Sequence, residues 1–128
     1  MFELDPTPKS DTLDGAQLTL DEYQKLAMRT CNIPYHDQRG MLNHGVFGLT
    51  SEAGEVAAFL QKQYQGHDID IAHMKKELGD VMWMVAEICT AIGTTMNEIA
   101  IGNIEKLRKR FPDGFSTERS INRAKGDV

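Results

Sequence analysis

The run from Ile71 to Gly93, IAHMKKELGDVMWMVAEICTAIG, decides the fold. Leu78, Val81, Met82, Val85, Ile88, Cys89 and Ile92 recur at helical spacing, which predicts one helix from Ile71 to Ile92 with those residues facing a core. Gly93 stands where a left-handed cap glycine ends such a helix. Before it, Gly66, His67 and Asp68 supply a turn, and a second helix is expected from about Met41 to Tyr64. Its apolar stripe reads Val46, Leu49, Ala53, Val56, Ala57 and Leu60. Gly45, Gly48 and Gly54 interrupt it, each costing about 1 kcal/mol against Ala.

Further out, Thr19 and Glu22 form a capping box, and Leu20, Tyr23, Leu26 and Ala27 carry a first helix from about Thr19 to Thr30. Pro34 and Gly40 bracket the loop that follows. A second box, Thr95 with Glu98, opens a fourth helix through Ile99, Ile104 and Leu107 to about Arg110, and Pro112 stops it. No strand-length alternation and no internal repeat stands out. The class is therefore all-α, with a four-helix bundle-like core. Residues 1–18, with two prolines and no periodicity, read as a mobile arm; 19–115 form the helical domain; 116–128 are a polar tail, docked or loose.

A chain of 128 residues is one domain with a small core, which oligomerisation often completes. The net charge of −5 argues against a duplex nucleic acid partner, because phosphates need clustered Lys and Arg. The longest apolar run, Val81 to Ala86, is far too short to span a membrane. The start of the chain lacks the basic residues and apolar stretch of a signal peptide, so a cytoplasmic location is expected. Two cysteines, Cys31 and Cys89, are too few for a disulfide scaffold or a cysteine zinc site and read as reduced thiols.

The chemistry sits in two acidic pairs. Glu52 and Glu55 are three apart on the second helix, and Glu77 and Asp80 are three apart on the third, so each pair shares a face. The 21 residues from Val56 to Lys76 run about ten out and ten back around the turn, which brings both pairs to one level of an antiparallel hairpin. Taken singly, either pair is an ordinary solvated helix face. In register, four carboxylates repel one another unless cations join them, and all-oxygen ligation suits Mg²⁺ or Mn²⁺ better than Zn²⁺. Ala53, Gly54 and Gly79, small residues inside the pairs, leave room for a ligand. On the fourth helix Asn103, Lys106 and Arg110 make one stripe, suited to phosphate oxygens. Alone, that stripe is a basic helix end complementing the macrodipole.

These residues resemble a known family. Leu49-Thr50-Ser51-Glu52-Ala53-Gly54-Glu55-Val56, Lys76-Glu77-Leu78-Gly79-Asp80-Val81, and Asn103-Ile104-Glu105-Lys106-Leu107 followed by Arg110-Phe111-Pro112 are similar to the MazG-like nucleoside triphosphate pyrophosphohydrolases. These belong to an all-α superfamily that includes dimeric dUTPases. The resemblance covers roughly Gln24 to Phe115. It implies an enzyme that hydrolyses a nucleoside triphosphate to the monophosphate and pyrophosphate, in nucleotide-pool housekeeping. Glu52, Glu55, Glu77 and Asp80 would hold Mg²⁺, with Mn²⁺ as a substitute, and one of the four would serve as general base. Lys106 and Arg110 would stabilise triphosphate charge, with Asn103 as a neutral contact. A homodimer or dimer of dimers would complete the bundle.

Lys62 shares the stripe of Glu52, Glu55 and Phe59 and is a candidate phosphate contact. His44, two turns before Glu52, is a candidate for the nucleotide pocket; His36, His67 and His73 read as structural or solvated. Trp83 fits core or subunit interface better than a base-stacking role. Arg119 and Arg123 are candidates to fold over phosphates. A di-iron bundle is disfavoured because no Glu-x-x-His occurs. The competing reading is a non-catalytic metal-binding or helical interaction module.

Overall fold

A computed structural model describes residues 16–127. It is all-α, with helices α1 (Leu20–Met28), α2 (Gln38–Tyr64), α3 (Ile71–Ile92), α4 (Met96–Arg110) and α5 (Thr117–Ile121). Among the described residues there is no strand, only an isolated bridge between Pro112 and Gly114. No helix there is long and apolar enough to cross a membrane. The expected N-terminal arm lies outside the described residues except for 16–18, which carry no regular structure.

Local chemistry sets the helix ends. Thr19 caps α1 with both halves of its box made: its side chain accepts from the Glu22 N–H, and the Glu22 carboxylate accepts from the Thr19 N–H at 2.7 Å. Asp70 caps α3, accepting from the His73 N–H at 3.0 Å, and Gly93 ends it at φ 75, where a side chain would be strained. The second helix starts three residues earlier than expected, because Asp37 accepts from the Gly40 N–H.

The chain divides into two compact units, one up to Met96 and one from Asn97 onward. In the first, α2 and α3 run antiparallel: Gly45 lies against Ile88, Gly48 against Met84, and the Phe59 ring meets His73 edge-on at 5.1 Å. Cβ atoms at Gly45 and Gly48 would stand 2.8 Å from Ile88 and 2.4 Å from Met84, so glycine permits this approach. The core gathers Ala27, Ala86, Cys89 and Met96, flanked by Leu20, Tyr23, Met28, Trp83 and Val85. Gln24 ties α1 to the end of α3, donating to Thr90 Oγ1 at 3.1 Å and Thr94 O at 3.2 Å and accepting from the Met96 N–H at 2.8 Å. Trp83 Nε1 donates to Ala27 O and Thr30 Oγ1, both at 2.9 Å, which makes the indole a bridge between α3 and α1.

Which faces are buried differs from the sequence reading. Cys89 is buried as expected, but Leu78, Met82 and Ile92 are exposed, and Ala86 and Glu87 take the deepest places on α3. On α2 the expected stripe leaves Val46, Ala53, Ala57 and Leu60 exposed, while Met41, Gly45 and Phe59 are buried. The reason is the glycine seam. Close approach at Gly45 and Gly48 turns the neighbouring face of α2 toward α3, so the larger apolar side chains point away.

In the second unit α4 leads into a segment in which Ser116 caps α5, accepting from the Arg119 N–H at 3.3 Å. The Phe111 and Phe115 rings lie 5.3 Å apart. Ile99, Ile101, Ile104 and Leu107 on α4 are exposed.

Candidate metal centre

Glu52 comes from α2, and Glu77 and Asp80 from consecutive turns of α3, where the antiparallel pairing brings them together. Each offers one carboxylate oxygen, and the three oxygens lie within 4.8 Å of one another. A Mg²⁺ ion with bonds near 2.0–2.1 Å sets ligand oxygens about 3 Å apart in cis and about 4.2 Å apart in trans. The donors are hard and anionic and lie within 4.8 Å of one another, so the set fits a divalent cation of that class. Cβ positions at Gly54 and Gly79 have open space around them, which keeps the approach to the acids clear.

The electrostatics show the cost of the arrangement without a cation. Glu52 has its pKa raised, first by burial and then by the charges of Asp80, Glu77 and Glu55. Glu55 is exposed and enters as a charge on Glu52, outside the three-oxygen cluster. Glu77 is oriented from its own helix: His73 Nε2 lies 2.8 Å from Glu77 Oε1, and the His73 ring is braced edge-on by Phe59.

Two residues at this site were not singled out by the sequence. His73, read there as structural or solvated, touches the cluster. Its spacing of four from Glu77 on one helix was the legible signal. Tyr23 gave no local signal. Its hydroxyl donates to Gly79 O at 3.5 Å across 56 positions, and its pKa is raised by burial and then by the charge of Asp80.

The proposed phosphate contacts fall in different places. Lys62 is exposed in the last turn of α2. Asn103, Lys106 and Arg110 belong to the second unit. There Asn103 and Lys106 are exposed on α4, while Arg110 is largely covered and donates through Nε and Nη2 to the two carboxylate oxygens of Asp127. His44 is tied to Glu87 rather than to the acids, its Nδ1 2.7 Å from Oε2. Cys31 and Cys89 are free thiols whose pKa values burial pushes up.

Residues 45–115 match the MazG nucleotide pyrophosphohydrolase domain, a span that contains all four acids. Gene 37 protein of Mycobacterium phage L5 is 31% identical over 87 residues, covering 64% of this chain and 76% of that protein. No solved structure matches the chain. With more than half of its length matched, and with Glu52, Glu77 and Asp80 brought together inside that span, the chain belongs to the MazG nucleotide pyrophosphohydrolase family.

Proposed function

We propose that this chain hydrolyses a nucleoside or deoxynucleoside triphosphate to the monophosphate and pyrophosphate, with Mg²⁺ as cofactor and Mn²⁺ as a substitute. The observation that carries this reading is the convergence of Glu52, Glu77 and Asp80 oxygens from two antiparallel helices within the matched MazG span. Those three acids, with Glu55 one turn away, would hold the metal. When bound, the ion supplies charge neutralisation at phosphate oxygens and acidifies water at neutral pH. One of the carboxylates takes the proton of the water that attacks the α-phosphorus. His73 holds Glu77 in place for its share. Lys62, Lys106 and Arg110 donate to triphosphate oxygens, and Asn103 adds a neutral donor.

The same reading includes a homodimer or a dimer of dimers. Val46, Phe47 and Leu60 stand exposed on α2, Phe47 at 74%. Apolar area of this kind on a small domain is what a second copy covers. Sedimentation at micromolar concentration checks it, and a species of only 14.3 kDa would count against it.

The deciding experiment for the activity is a panel of ribo- and deoxyribonucleoside triphosphates with Mg²⁺, reading pyrophosphate against orthophosphate. Metal-dependent release of pyrophosphate from at least one member supports the reading. Release of orthophosphate alone, or no turnover of any member, removes it.

A further inference from the structure

The C-terminal segment places a carboxylate of its own on a residue assigned above to phosphate. Arg110 Nε donates to Asp127 Oδ2 at 2.7 Å, and Arg110 Nη2 donates to Asp127 Oδ1 at 2.6 Å. This is the two-point fork that a guanidinium also gives to phosphate. The pair is sheltered, with side chains 11% and 18% exposed.

Around it opens a cleft of about 540 Å³, formed wholly by the second unit. From α4 it is lined by Lys106, Lys109 and Arg110, and from the segment that follows by Arg119, Arg123 and Lys125. Against these cations stand two carboxylates, Glu105 and Asp127. The concentration of positive charge is the reverse of the chain as a whole, which carries −5. Asp127 has its pKa lowered, first by the hydrogen bonds from Arg110 and also by the charges of Arg123 and Lys106, so several cations converge on one carboxylate. Two carboxylates against these six cations leave the cleft with a net positive charge. An anion with several negative oxygens in a row would reach cations on both walls.

We propose that this cleft is a receptor for a polyphosphate anion, inorganic pyrophosphate or the triphosphate of a nucleotide, and that Asp127 is its internal occupant, displaced from Arg110 when the anion enters. The proposal rests on the function proposed above for the role of Lys106 and Arg110. It adds Arg119, Arg123 and Lys125 to the anion's contacts and a competitor built into the chain. The segment after α4 is then a regulatory cap: its cations attract the phosphate chain, and its carboxylate sets how tightly that chain must bind to win the fork.

The test is calorimetric titration of inorganic pyrophosphate into the full chain in EDTA, so that metal-bound carboxylates play no part. Wild type should bind pyrophosphate more tightly than orthophosphate. Asp127→Ala and the isosteric Asp127→Asn should each bind it roughly tenfold more tightly, because the competing charge-assisted fork is gone or weakened. Arg123→Ala should bind about tenfold more weakly. Displacement of pyrophosphate by a nucleoside triphosphate identifies the substrate's phosphates as the occupant, and binding without displacement identifies the product's; either supports the receptor. Two Asp127 variants that melt like wild type yet bind pyrophosphate no more tightly would overturn it, as would no binding by any of these proteins. Turnover by the wild type with Mg²⁺ is scored separately. Tightened pyrophosphate binding without turnover of any triphosphate leaves the receptor and removes the proposed function, and turnover with unchanged pyrophosphate binding does the reverse.

Discussion

His44 Nδ1 lies 2.7 Å from Oε2 of Glu87, whose side chain has no solvent exposure, while the His44 side chain is half exposed. The other carboxylate oxygen of Glu87 accepts from Cys31 Sγ at 3.6 Å. The approach of α2 at Gly45 brings His44 within reach of α3, and the Trp83 ring stands edge-on to the imidazole at 6.1 Å.

The pair is asymmetric, and its mutants should be too. His44→Ala strands a buried carboxylate with only a weak thiol donor and should cost about 3 kcal/mol in urea unfolding. Glu87→Met keeps the volume and removes the carboxyl group, and the half-exposed imidazole it leaves can turn to water, so its cost should be smaller. The double variant should be more stable than His44→Ala alone. Strictly additive losses would show that the two side chains are not coupled.

The acid cluster links stability to pH and to metal. The pKa of Glu52 is raised above its ordinary 4.5, so the folded chain binds that proton more tightly than the unfolded chain does. Folding is then least penalised below the ordinary value, and stability is lost as pH rises through the folded one. Glu52→Gln should therefore raise the Tm of the metal-free protein at neutral pH and change it little below 4.5. Saturating Mg²⁺ should reverse the ranking: at a hundredfold above its Kd it adds about 2.7 kcal/mol to wild type and less to the variant. A Tm of wild type indifferent to Mg²⁺ and Mn²⁺ would remove the metal centre.

Kinetics should separate the acids from the basic stripe. Glu77→Gln and Asp80→Asn should lose Mn²⁺ binding in the absence of nucleotide together with turnover. Glu55→Gln should lose turnover with a smaller loss of Mn²⁺ affinity, because Glu55 stands outside the three-oxygen cluster. Lys106→Ala should leave Mn²⁺ binding unchanged and lower kcat/KM about tenfold to somewhat over a hundredfold, the range of a charge-assisted hydrogen bond of roughly 1.5–3 kcal/mol. Unaltered kinetics in Lys106→Ala would return that residue to a solvated helix end.

The glycine seam should answer to the two alanine substitutions differently. A Cβ at Gly45 meets Ile88 Cγ1 at 2.8 Å, with the Ile88 N and Met84 O at 3.4 Å behind it. A Cβ at Gly48 meets Met84 Sδ at 2.4 Å and Met84 Cε at 2.7 Å, the far end of a flexible chain that can swing aside. Gly45→Ala should destabilise by about 1–3 kcal/mol, offset in part by about 1 kcal/mol of helix propensity. Gly48→Ala should be close to neutral. Denaturant midpoints of both variants check this, and equal losses would place the close approach elsewhere.

The amino-acid sequence by itself determined what depends on neighbours three and four residues away. The Thr19–Glu22 box, the full extent of α3 and its Gly93 cap, and the approach of Glu52 to Glu77 and Asp80 across the hairpin all follow from helical spacing and turn chemistry. The His73–Glu77 contact lies within the same reach, at a spacing of four on one helix. Tertiary structure alone decided which face of α2 turns inward, because two glycines let backbones approach where apolar counting favours a bulkier stripe. It also decided that Glu55 stays outside the three-oxygen cluster, that Tyr23 reaches Gly79, that a fully buried Glu87 holds His44, and that Arg110 is occupied by Asp127. These last three pairs stand 56, 43 and 17 positions apart. No helical period connects residues at such separations; only the packing of one element on another brings them within hydrogen-bonding distance.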